Sequence, residues 1–253
     1  MPEREHCLPS GLTGIVKPWK TGDLAVFTDR RLARIPGPTF EAELAKRSWV
    51  KTEEMGPYAF EGRPTWMKDV LSGDLFDLTR VSRILTWGPE YVAEFECNGK
   101  TCDAAIEVEI DLNDVKVKPL SDEAVQMFLN GNRFPYTLPE CGTEILYALP
   151  TGSIQAKADK LAKQHGRHLH VILAARLQQV EGIESPGRFV QWLSDLSAVD
   201  GVELEHEMDR LNPGVDTEVD MVCSECGRAQ SQDMSFGPSF FTPDRKRRKK
   251  LTD

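Results

Sequence analysis

Two cysteine pairs hold the residues of this 253-residue chain best suited to chemistry: Cys97-Asn-Gly-Lys-Thr-Cys102 and Cys223-Ser-Glu-Cys226-Gly227. The two-residue gap of the second pair lets both thiolates of one tight turn bind the same ion, and Gly227 can take the positive φ that such a turn often requires. The first pair has four intervening residues, at the wide end of ligand spacing, with Gly99 where a turn belongs. Together Cys97, Cys102, Cys223 and Cys226 make a complete tetrahedral shell for zinc and leave no position open for water or substrate, which means structure rather than catalysis. Two other uses of the thiols compete. A thioredoxin-like redox pair needs its Cys-x-x-Cys at the start of a helix, yet a strand pattern leads into Cys223. Iron–sulfur ligation also takes four cysteines, but no supporting motif accompanies them. Cys7 and Cys141 are read as ordinary thiols.

No other set of side chains converges. Trp66 and Trp192 sit on apolar stripes and suit core anchors, and Asp69 and Asp195 suit helix-surface or cap contacts, since no tuned partner for acid–base work is visible. His165, His168 and His170, with Gly166 and Arg167 between them, read as a polar turn linking two helices rather than a ligand cluster. The chain is therefore expected not to be an enzyme.

The elements that position the cysteines follow from periodicity. Leu8 to Arg34 mixes turns with the short apolar runs Gly14-Ile15-Val16 and Leu24-Ala25-Val26-Phe27, which predicts brief strands. Helical spacing covers Phe40 to Trp49, Pro64 to Leu85, Ile154 to Gln164, Leu169 to Val180 and Arg188 to Leu196. Alternation puts Tyr91, Ala93, Phe95 and Cys97 on one face, and a second alternating run follows from Ile106 to Leu112, so a hairpin turn presents Cys97 and Cys102. Another strand runs from Gly214 to Met221 into the second pair, and the apolar Phe236-Gly237-Pro238-Ser239-Phe240-Phe241 is expected to pack down.

The two halves also match. At a shift of 126 residues Trp66 falls on Trp192, Asp69 on Asp195, Asp74 on Asp200, Leu78 on Leu204, Gly88 on Gly214 and Cys97 on Cys223. Upstream, at a shift of 130, Leu8-Pro9 recurs as Leu138-Pro139 and Ile15 as Ile145. The expected fold is α+β and internally duplicated: two pseudo-twofold-related halves of short strands and helices, with a zinc-ribbon-like cysteine hairpin in each. The expected boundaries are 1–130 for the first half, 131–244 for the second and 245–253 for a flexible basic tail.

A net charge of -9 and a pI near 5.2 argue against a general nucleic-acid binder, which needs a basic face. The run Arg245 to Lys250 is the exception, and it supports an alternative reading as a nucleic-acid-binding zinc-ribbon protein. The longest apolar run, Val171 to Ala175, is five residues, too short for a membrane span. Met1 to His6 is charged rather than apolar, so no secretory signal is expected and the compartment is expected to be reducing cytosol, where paired cysteines are more often metal ligands or redox groups than structural disulfides.

The order Leu8-Pro9-Ser10-Gly11, a helical centre, Arg83-Ile84-Leu85-Thr86-Trp87-Gly88 and a strand to Cys97 resembles the baseplate hub and hub-assembly proteins of contractile-tailed bacteriophages. So do Leu138-Pro139, Val180-Glu181-Gly182, Pro213-Gly214-Val215-Asp216, Cys223-Ser-Glu-Cys226 and the closing Phe236-Gly237-Pro238 with Phe240-Phe241. The resemblance spans most of the chain. It implies a non-enzymatic hub component or assembly factor, acting through contacts with other tail and baseplate proteins in a large assembly. It places the protein in the host cytoplasm during assembly or in the virion baseplate, and implies a structural Zn2+ on the same four cysteines. The wide Cys97–Cys102 spacing departs from a tight knuckle.

Overall fold

The computed structural model describes residues 3–34, 37–128, 131–234, 236 and 238–242. Strands β1 (Arg4–Cys7) and β2 (Thr13–Val16) are followed by a 3-10 helix at Asp23–Thr28, helix α1 (Thr39–Ser48) and strand β3 (Trp49–Glu54). These strands form an antiparallel sheet with β2 in the centre. Helix α2 (Ser72–Trp87) leads into the hairpin β4 (Glu90–Glu96) and β5 (Ala105–Asp111), then strand β6 (Val117–Lys118) and helix α3 (Asp122–Phe128). A second antiparallel sheet joins β7 (Phe134–Thr137), β8 (Glu144–Tyr147) and β9 (Leu177–Val180), with helices α4 (Gly152–His165) and α5 (Leu169–Arg176) between β8 and β9. Helices α6 (Phe189–Asp195) and α7 (Ala198–Leu211), strand β10 (Gly214–Val215), the hairpin β11 (Glu218–Val222) and β12 (Ala229–Asp233), and the short helix α8 (Pro238–Phe241) complete the chain. β10 pairs antiparallel with β6, about 100 residues earlier in the chain. The protein is thus a mixed α+β chain of small sheets and helices. None of its described helices is long and apolar enough to cross a membrane. The basic run 245–250 lies outside the described residues.

Four sequence expectations change, the simplest being the strand expected from Gly214 to Met221, which divides into β10, paired with β6, and β11, paired with β12. Leu24 to Phe27 is not a strand but part of the 3-10 helix, because Asp23 accepts from the Lys20 N–H and Thr28 closes on the Ala25 carbonyl, local bonds that compete with a ladder. Helix α2 begins at Ser72, not at Pro64. Leu71 is extended and bridges Thr151, while the Lys68 and Asp69 N–H groups both turn back on the Thr65 carbonyl, so Trp66 and Asp69 precede the helix. The helix expected over Leu169 to Val180 stops at Arg176 and the chain continues as β9. Leu177 and Val180, three apart, suit a helix, but both are buried in the sheet.

Two apolar cores hold these elements. The first gathers Leu8, Trp49 and Trp66 with Phe134, Tyr147, Leu204 and Met208, so both three-stranded sheets contribute. The second gathers Trp19, Leu44, Tyr91, Phe95, Met221, Met234, Phe240 and Phe241 around the two hairpins. Helix α2 serves both: Leu75, Leu78 and Val81 face the first, Ile84 and Trp87 the second. Its polar residues are equally committed. Asp74, fully buried, accepts from the Ser10 N–H (2.9 Å), the Ser10 hydroxyl (2.5 Å) and the Tyr58 hydroxyl (2.7 Å). Burial nevertheless pushes its carboxyl up to about 6. Asp77 is desolvated as well, but His6 at 2.6 Å and the Arg80 guanidinium at 2.6 Å hold it below the usual carboxylate range. Arg80 also donates to the Leu112 carbonyl (2.7 Å), and Arg83 to the Gly88 (2.6 Å) and Glu90 (3.1 Å) carbonyls, which ties α2 to the open end of the β4–β5 hairpin, where Glu90 pairs with Asp111.

Candidate metal centre

The two hairpins bring their cysteine-bearing turns together. Cys97 directly follows β4, and Cys102 stands in the turn before β5, where its N–H donates to the Gly99 carbonyl (3.1 Å). Cys223 directly follows β11 and Cys226 lies in the turn before β12. There the Gly227 N–H closes on the Cys223 carbonyl (2.9 Å) with φ of 71°, the left-handed conformation that a Cβ disfavours. Cys97 Sγ lies 3.6 Å from Cys226 Sγ, and Cys102 Sγ 3.8 Å from Cys223 Sγ, so each contact crosses from one hairpin to the other. All four sulfurs lie within 4.8 Å of one another. Four thiolates at about 2.3 Å from a tetrahedral ion would stand about 3.8 Å apart, so the arrangement can hold a metal ion. The cysteines are unpaired by disulfides.

Neighbouring side chains hold the hairpins together. Gln230 on β12 accepts from the Asn98 N–H (3.0 Å) and donates to the Glu96 carbonyl (3.3 Å), which Gln232 also reaches at 2.7 Å. Arg228 donates to the Asn98 carbonyl (3.0 Å). The β12 side chains therefore dock onto the end of β4 and set one cysteine turn against the other. On the inner side, Phe95, Met221 and Met234 pack with Phe240 and Phe241.

The thiols of the cluster differ in how readily they ionise. The Cys223 thiol is held down to about 7, first by the Cys226 N–H and then by that of Glu225, against its desolvation. The Gly99 N–H favours a Cys97 thiolate, but desolvation and the three surrounding thiols push it up to about 12. Cys102 is raised likewise: desolvation and neighbouring thiols outweigh the Ala104 N–H. Four thiolates this close repel one another, and a divalent ion bound among them would offset that repulsion and favour the deprotonated thiols.

All four sequence-predicted ligands are thus brought into one cluster, and among the described residues it is the one such group of His, Cys, Asp and Glu side chains. Cys7 and Cys141 are exposed and lie apart from it. Asp69 accepts from the Thr65 N–H (2.8 Å) and Asp195 from the Gln191 amide (2.9 Å), both at the surface. The three histidines occupy the α4–α5 junction, where His168 and His170 stack at 5.6 Å. Sequence reasoning missed the docking residues Arg228, Gln230 and Gln232; their signal was three long polar side chains at alternate positions immediately after the knuckle. No protein family, curated protein or solved structure matches this chain.

Proposed function

We propose that the protein is a non-enzymatic, zinc-stapled structural or assembly protein that works by presenting surfaces to other proteins, as a hub component or assembly factor of a phage tail baseplate. One observation carries the structural half of this reading. The sulfurs in contact belong to residues 121 and 129 positions apart, so a single ion would tie together distant parts of the chain and use every ligand in doing so. An all-thiolate closed set suits Zn2+, which has no redox chemistry and prefers a tetrahedron. The baseplate assignment rests on the resemblance described above.

The same reading treats the chain as an internal duplication. What supports it is the order of elements: β1, β2, β3, α2 and the β4–β5 hairpin, then β7, β8, β9, α7 and the β11–β12 hairpin. Asp74 and Asp200, equivalent at the 126-residue shift, each accept backbone N–H groups from the turn that follows the first strand of their half: Ser10 in one, Glu140 and Cys141 in the other.

Native mass spectrometry of tagged protein isolated gently from producing cells tests the whole reading. One zinc per chain together with tail proteins is the expected result. A metal-free monomer, or a complex dominated by nucleic acid, would overturn it.

A further inference from the structure

A cleft of about 570 Å³ lies between the start of α2, the start of α4 and the β6–β10 ladder. Among the described residues five buried side-chain polar atoms have no hydrogen-bond partner, and three of them, Ser72 Oγ, Gln155 Oε1 and Asn212 Oδ1, belong to residues that line this cleft. Ser72 is only 3% exposed. A buried polar group without a partner keeps its desolvation penalty uncompensated, so three converging on one cleft point to an external partner.

The cleft is also electropositive by construction. Leu71 and Thr151, the residues that precede α2 and α4, pair across an antiparallel bridge, and the Ser72 N–H donates to the Pro150 carbonyl (2.8 Å). The N-termini of helices of 16 and 14 residues therefore lie beside one another, and each contributes the positive end of its dipole, while the Ser153 N–H is taken by the Met67 carbonyl (2.7 Å) and the Ile154 N–H by the Thr151 hydroxyl (3.4 Å). Lys116 and Lys118 stand on the far wall, Lys118 anchored by its bond to the Asp209 carbonyl (2.8 Å). The opposing charges are two. Asp216 is on the rim, accepting from the Glu218 N–H, and Asp74 in the first turn of α2 is engaged by Ser10 and Tyr58.

We propose that this cleft binds a small oxyanion that also bears hydroxyl groups, a sugar phosphate or a sugar acid. The oxyanion sits against the start of α2, Ser72 and the lysines. The hydroxyls donate to the amide oxygens of Gln155 and Asn212. The volume lies within the range of small-ligand sites. The cleft is separate from the cysteine cluster and shares no residue with it.

Metal-loaded full-length protein titrated with ribose 5-phosphate and, separately, with gluconate tests the proposal by calorimetry and protein-detected NMR. Saturable binding of one or both below about 1 mM, weakened by added salt, is expected, and the arm that saturates identifies the oxyanion. Ser72→Ala and Lys116→Ala should each weaken it by about fivefold or more. Ser72→Ala should leave the melting temperature unchanged or raise it, because it deletes a hydroxyl that has no partner in the unliganded protein. Gln155→Leu, farther from the start of α2, gives the same readout should Ser72→Ala disturb that helix. Absence of saturation by either probe up to about 10 mM, or saturation indifferent to all three substitutions, overturns the proposal.

Discussion

A thiol cluster is costly to the chain that holds it unless something neutralises it, and the cost falls unevenly: backbone N–H groups lower Cys223 to about 7, while at Cys97 desolvation and the neighbouring thiols outweigh the Gly99 N–H and raise it to about 12. Replacing one ligand leaves three thiols and no closed shell. Cys223→Ser should therefore abolish stoichiometric metal binding and lower the melting temperature by roughly 10 °C, at about 2–4 °C per kcal/mol for a chain of this size. Cys141→Ser, at an exposed thiol outside the cluster, should change neither, and paired metal analysis and thermal melts check both. Asp74 supplies a pH prediction. Its folded-state value of about 6 exceeds the ordinary 3.8, so the folded protein keeps the proton that the unfolded chain has already lost. Stability from this group is full below pH 4, declines as pH rises to about 6 and is flat above, a change on the order of 2–3 kcal/mol. Asp74→Asn should erase that slope in urea titrations at several pH values. The four clustered cysteines were legible because thiols in pairs are rare and their spacing is restrictive. Asp74 was visible only as a repeated letter, since nothing in a sequence tells which turn a buried carboxylate will cap.

Elements were legible where one periodicity was available and obscure where two fitted. The β4–β5 hairpin alternates cleanly over seven paired positions and was read correctly, whereas Leu177 and Val180 satisfy both a helix stripe and a strand face, and the pairing of β9 with β8 decided between them. Helix α7 went unread because Gly201 interrupts it and acidic residues dominate its surface. The start of α2 was misplaced because what stops the helix is distant in sequence: Thr151 bridges Leu71, and Pro213 and Gly214 press on Gly73. A Cβ at Gly73 would fall 2.2 Å from the Pro213 carbonyl oxygen and 2.8 Å from Gly214 Cα, backbone that cannot step aside cheaply. Gly201, also within a helix, faces open space. The two substitutions should diverge: Gly73→Ala destabilises by about 1–3 kcal/mol or more as α2 is pushed off β10, while Gly201→Ala stabilises by about 0.5–1 kcal/mol through helix propensity alone. Denaturant unfolding of both variants provides the comparison.

At the scale of the molecule, the two cores differ in what holds them. The first is built on two three-stranded sheets and owes nothing to the cysteines, while the second surrounds two hairpins that two-stranded pairing alone would hold weakly. Its remaining closure comes from Phe240 and Phe241, packed against Trp19, Phe27 and Tyr91, and from Arg83, whose guanidinium lies 6.0 Å over the Phe240 ring while its N–H groups hold the carbonyls at the start of β4. Helix α2 links the cores, so loosening the second need not unfold the first. Chelating the metal should open the hairpins and α8 while β2, β8 and the first two turns of α2 stay closed, giving two stages of unfolding where the metal-loaded protein shows one. Hydrogen exchange read by mass spectrometry distinguishes the outcomes: protection lost from residues 90–111 and 218–233 alone would establish the ion as a local staple between hairpins, whereas loss spread evenly through both sheets would make the cores one cooperative unit that the ion holds as a whole.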